Sequence, residues 1–121
     1  MFKTVSMFKR HPSLTVEQFK DHYENIHVPL ALRNVKGKAR RYIRKYPEPR
    51  PNPMTGMVAE PEYDVVMEFW HDDKQAYEAM MASMKASPLL PEIIADEERL
   101  FDRPKSRNFF IDERVTEVPQ E

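Results

Sequence analysis

The sequence predicts one α+β domain, a four-stranded antiparallel sheet with its helices on one face. Three observations carry that prediction. Strand-like and helix-like segments follow in the order strand, helix, strand, strand, helices, strand. YDVVMEFWH, from Tyr63 to His71, has the apolar alternation of a strand. TVEQFKDHYENIHVPL, from Thr15 to Leu30, has the apolar spacing of an amphipathic helix. A chain of 121 residues suits a single core.

Phe2 to Lys9 alternates and forms the first strand; His11-Pro12-Ser13 turns the chain into the first helix. Thr15 caps that helix, and Gln18 completes a capping box. Val16, Phe19, Tyr23, Ile26 and Leu30 share its apolar face, with His27 in it or at its border. Pro29 either ends the helix or kinks it near His27 and Val28, splaying side chains around the imidazole.

RRYIRKY, from Arg40 to Tyr46, is the second strand. The stretch 47–62 carries five prolines and one glycine and is a long surface excursion, a lid or a mobile segment. In the third strand Tyr63, Val65, Met67, Phe69 and His71 share one face, and Asp64, Val66, Glu68 and Trp70 the other. Both faces carry large apolar groups, which points to a second cover such as another subunit. Asp72 or Asp73 caps a helix to Met84. Ser87-Pro88 opens another, holding Leu89, Leu90, Ile93, Ile94, Leu100 and Phe101 until Pro104 breaks it. Asn108 to Val115 is the fourth strand. The domain spans 1–115 and the tail 116–121 frays. This order is the ferredoxin-like split βαβ arrangement.

Composition narrows the function. Without cysteine there is no disulfide, thiolate nucleophile or Cys-ligated metal site, which fits a cytoplasmic location. The N-terminus lacks a signal-peptide pattern and no stretch is long and apolar enough to span a membrane. With only Gly37 and Gly56, a phosphate-cradling loop is not built, so nucleotide, nicotinamide and flavin binding are disfavoured and no organic cofactor is expected. A net charge of −1 does not suggest nucleic acid. The basic run from Arg33 to Arg50, with Tyr42 and Tyr46, reads better as solvated edge-strand charge than as an RNA surface. His22 and His27 stand five apart, not the spacing that sets two metal ligands on one helical face; no metal is expected.

Asp96 interrupts the apolar stripe of Leu89, Ile93 and Leu100, as His27 interrupts that of the first helix. Both helices pack on the same sheet face, so a His–Asp pair between them is sterically reasonable. It is either a buried structural bond or an acid–base pair in which Asp96 fixes the imidazole tautomer. Tyr23 either donates to a substrate oxyanion or fills the core, and Tyr42, Tyr46 and Tyr63 are further candidates. His71 ends its strand, to cap it or to line a pocket mouth. Phe69 and Trp70 suit core or interface, and His11 and His22 are expected in solvent, His22 off the apolar face.

The segments KTVSMFKRHPSLTVEQFKDHYENIHVPLA, RRYIRKY, YDVVMEFWHDDKQAYEAMMAS and ADEERLFD resemble the EthD-domain family. The resemblance rests on Phe19, Tyr23, His27 and Pro29 in F-x3-Y-x3-H-x-P and on Asp96 and Phe101 in D-x4-F. It implies a dimeric α+β barrel, two ferredoxin-like subunits sheet to sheet as a homodimer, with the pocket between sheet and helices. It also implies His27, Asp96 and Tyr23 as the polar catalytic residues. Phe19, Tyr42, Tyr63, Phe69, His71 and Phe101 are the substrate-binding candidates around them. The expected activity is that of a cofactor-independent lyase, cyclase or isomerase acting on a small apolar or aromatic carbonyl compound. The alternatives are a cofactor-free monooxygenase on phenols and a non-catalytic binding protein of a catabolic pathway. The excursion at 47–62 is longer than the family pattern, so the resemblance does not specify the substrate.

Overall fold

The computed structural model describes residues 1–121. Strand β1 (Phe2–Phe8) leads to helix α1 (Val16–His22), a π-helical turn (Tyr23–His27) and helix α2 (Val28–Val35), which run on without a break. Strands β2 (Arg41–Lys45) and β3 (Val65–His71) follow, then helices α3 (Lys74–Lys85) and α4 (Leu90–Leu100) and strand β4 (Arg107–Phe110). The sheet order is β2-β3-β1-β4, all antiparallel, the ferredoxin-like topology read from the sequence.

Register and alternation divide the sheet into two faces. Thr4, Ser6 and Phe8 of β1 lie beside Phe69, Met67 and Val65 of β3, on the face that the helices cover. One cluster on that face joins Phe19, Tyr23 and Val28 to Val65, Leu100 and Phe101. A second joins Val35 and Met80 to Met67 and Phe69. The other face presents Val5, Met7, Ile43, Val66 and Trp70, all half-buried, with Lys3, Arg41, Lys45 and Glu68 among them. Trp70 lies between Lys3, whose Nζ is 3.9 Å from the ring centroid, and Arg41 at 5.2 Å.

Local sequence explains the element ends. The Thr15 hydroxyl accepts from the Gln18 N–H at 3.1 Å, and the Gln18 side chain accepts from the Thr15 N–H at 2.9 Å. Asp73, not Asp72, caps α3 by accepting from the Ala76 N–H at 2.7 Å. Pro29 does not end the first helix. Lacking an N–H, it leaves the Asn25 carbonyl without a donor and crowds it, and the turn before it widens. The Val28 N–H then reaches back five residues to the Tyr23 carbonyl.

All four strands are shorter than the sequence suggested, β1 and β2 by a residue or two and β3 and β4 for identifiable reasons. Tyr63 lies outside β3, because consecutive burial of Asp64 and Val65 breaks the alternation; the Asp64 carboxylate accepts from the Arg10 N–H at 2.9 Å. Strand β4 stops at Phe110 rather than Val115, and residues 111–121 form no ladder with β1. The excursion at 47–62 folds back as a loose hairpin, bridged between Pro51 and Val58, and Gly56 takes the positive φ its turn needs. No helix is long and apolar enough to cross a membrane.

Candidate functional site

The π-helical turn organises the site. In a regular α-helix, residues five apart point about 140° apart. The wider turn between Tyr23 and His27 brings His22 and His27 round to the same carboxylate on α4. His22 Nε2 is 2.6 Å from Asp96 Oδ1, and His27 Nδ1 is 2.9 Å from Oδ2. His22 is therefore not a solvated bystander, contrary to its sequence position. The Asp96 side chain is 1% exposed, His27 9% and His22 23%. A graded path thus runs from solvent through His22 and Asp96 to His27. Arg99 Nη2 adds a longer contact, 3.6 Å from Oδ1.

Burial alone would raise the Asp96 carboxyl; the hydrogen bonds from His22 and His27 outweigh it together and hold the group below its usual range. A carboxylate only accepts, so both facing ring nitrogens carry protons. That assigns the Nδ1–H tautomer to neutral His27 and leaves its Nε2 lone pair free, with no protein partner. The His27 ring packs edge-on against Tyr23 at 5.1 Å and Phe101 at 5.6 Å.

Next to it the Tyr23 and Tyr42 hydroxyls are 3.2 Å apart. Burial raises both phenols, Tyr42 to about 12, so both are donors at neutral pH. Arg44 is not loose edge charge. Its guanidinium makes a two-bonded pair with Glu24 at 2.6 and 3.0 Å and lies over the Tyr42 ring at 5.1 Å. The Tyr46 hydroxyl donates to the same Glu24. Glu97 is a further carboxyl that the spacing argument did not single out. Burial raises it, while His27 and Arg103 pull it down.

Of the sequence-predicted residues, the structure brings together His27, Asp96, Tyr23, Phe19, Phe101 and Tyr42. Phe69 lies tilted beside Tyr42 at 4.7 Å and leads away toward His71 at 6.3 Å. His71 does not join the site. It is fully buried against α3, its Nε2 3.2 Å from the Met80 sulfur and its Nδ1 without a partner. Tyr63 instead borders a surface depression with Lys9, Lys105 and Arg107. A cleft of about 310 Å³ lies elsewhere again, between α1 and the proline-rich excursion. His27 and Asp96, expected from the sequence to line a hollow, are not among that cleft's walls.

Comparison with known proteins bears on this arrangement. The EthD domain matches residues 11–104. The chain belongs to the EthD-domain family. An EthD family protein from Bacillus halodurans C-125 is 18% identical, with a TM-score of 0.62, over 94% of this chain and all of that one. An EthD-like protein from Ralstonia eutropha JMP134 is 18% identical at TM-score 0.61, covering 97% of this chain and 94% of that one. A NIPSNAP-like domain protein from Burkholderia xenovorans is 16% identical at TM-score 0.64, covering 99% and 90%. At these identities the EthD and NIPSNAP structures share the fold. No curated protein matches the chain.

Proposed function

We propose that this EthD-domain protein is a cofactor-independent proton-transfer catalyst of the lyase, cyclase or isomerase type, acting on a small apolar or aromatic carbonyl compound. The observation that supports it is the buried Asp96 carboxylate, hydrogen-bonded to two imidazoles with the His27 Nε2 left free. In this reading His27 Nε2 takes a proton from the carbon next to the carbonyl, and Asp96 stabilises the imidazolium that forms. The Tyr23–Tyr42 hydroxyl pair donates to the enolate oxygen. His27 then returns the proton to a different carbon or to a leaving hydroxyl. The aromatic neighbours Phe19 and Phe101 suit an apolar substrate.

Deuterium exchange tests the first step without knowledge of the final product. A panel of aryl ketones in D2O, followed by proton NMR, reads proton abstraction directly. The His27→Ala variant should lose about 10²–10⁴ in exchange rate while keeping its fold. Full exchange in that variant overturns the mechanism. The close packing of His27 between Tyr23 and Phe101 favours a second reading, a binding protein in which the cluster fastens the first helix to α4. Saturable ligand binding without exchange is its signature.

The same proposal includes a homodimer. The half-buried row of Val5, Met7, Ile43, Val66 and Trp70 has no helix over it, and a second copy laid sheet to sheet would cover it.

A further inference from the structure

The cleft of about 310 Å³ between α1 and the excursion stands outside the cluster used above. The apolar part of its wall is made by Val16 on α1 and by Pro47, Pro49, Val58 and Pro61 of the excursion. Its size is at the lower end of small-molecule sites, which suits one or two fused rings. Its charges are unequal in a useful way. Lys9 and Arg10 face Glu60 and Asp64, with contacts of 2.9 and 2.7 Å to Glu60 and 3.4 and 3.5 Å to Asp64. These four charges cancel. Lys20, also on the cleft wall, has no carboxylate partner, and its ammonium lies 5.6 Å from the Tyr46 ring centroid. Arg10 lines the cleft too, and its Nε is buried without a hydrogen-bond partner.

We propose that this cleft binds a small aromatic monocarboxylate. The ring lies against the proline and valine walls, and the carboxylate meets the Lys20 ammonium. Pyrrolidine rings offer flat C–H faces to a planar ligand. One uncompensated cation beside a self-neutralised floor selects one negative charge over none or two. The proposal goes beyond the proton-transfer reading and does not depend on it, because His27, Asp96, Tyr23 and Tyr42 are not among the residues that line this cleft.

The test uses 2-naphthoate and its neutral methyl ester as probes on the full chain, followed by amide chemical shifts. Saturable shifts at Val16, Lys20 and Ala59, with a dissociation constant in the millimolar range or tighter, are expected for 2-naphthoate. Lys20→Gln should weaken it about tenfold, the loss of one ion pair in a partly dry site. Val16→Trp, which fills the cleft from an exposed helix position, should abolish the shifts. His27→Ala should bind as the wild type does, so loss of exchange activity and loss of this site are read separately. Equal binding of the ester, shifts centred on His27 and Phe101, or indifference to Lys20→Gln overturns the proposal, as does the absence of saturable binding.

Discussion

Replacing Asp96 with leucine tests whether the His22–Asp96–His27 cluster holds the first helix to α4. The carboxylate accepts at 2.6 Å from His22 and at 2.9 Å from His27 and is 1% exposed. A hydrogen bond to a charged group contributes about 1.5–3 kcal/mol, so two give about 3–6 kcal/mol. Leucine regains part of that as apolar burial, on the order of 1–2 kcal/mol, but leaves the buried His27 N–H unpaired. The expected net loss is about 4 kcal/mol, within the range for breaking a buried pair. For 121 residues at about 2.1 cal/mol/K each, that lowers Tm by roughly 15 °C. Urea denaturation of wild type, Asp96→Leu, His22→Phe and the double variant gives both the loss and the His22–Asp96 coupling, expected at about 1.5–3 kcal/mol. The acid limb gives a second reading. Because Asp96 titrates lower in the folded protein than in the unfolded chain, near 3.9, its stabilisation is complete above about pH 4. It is lost as pH falls through the lower native value, and that part of the acid slope should vanish in Asp96→Leu. A loss below about 1 kcal/mol, or strict additivity with His22→Phe, refutes the idea that the cluster fastens the helices.

His71 offers a pH test of opposite placement. Burial holds its imidazole below the usual value, so its contribution is intact above about pH 6.5 and declines as pH falls below that. His71→Phe should therefore narrow the difference in Tm between pH 8 and pH 5. Deleting the exposed Asn25 converts the five-residue His22–His27 spacing to four, which a regular helix also places on one face; the paired imidazole N–H resonances should survive in the NMR spectrum. Trp70→Glu, on the uncovered sheet face, should shift sedimentation from dimer to monomer at micromolar concentration. A wild-type monomer at that concentration removes the dimer proposal.

Much of the fold was legible because short-range chemistry dictates it. Thr15 and Gln18 cap α1 as their types require, and alternation from Val65 to His71 gives β3 its two faces. The pairing of His27 with Asp96 was legible for a similar reason, since each interrupts an apolar stripe. What sequence spacing missed came from departures from regular geometry. His22 was discounted by α-helical arithmetic, yet Pro29, seven residues on, widens the turn and changes the angle. Tyr63 was placed on the inner face by extending a two-residue period past the point where Asp64 turns in to meet Arg10. Glu97 carries no periodic signal; it stands one residue past Asp96, and its charge is close enough to raise the Tyr42 phenol. Strand β4 is shorter than its apolar run, which continues past Phe110, where the pairing with β1 stops at Thr4.

Trp70 is the sole tryptophan, and it lies between two cations, far in chemistry from the imidazoles and the cleft. The protein therefore carries a built-in fluorophore whose emission senses what sits on the back of the sheet. Quenching by acrylamide can follow the covering of that face with no dye attached.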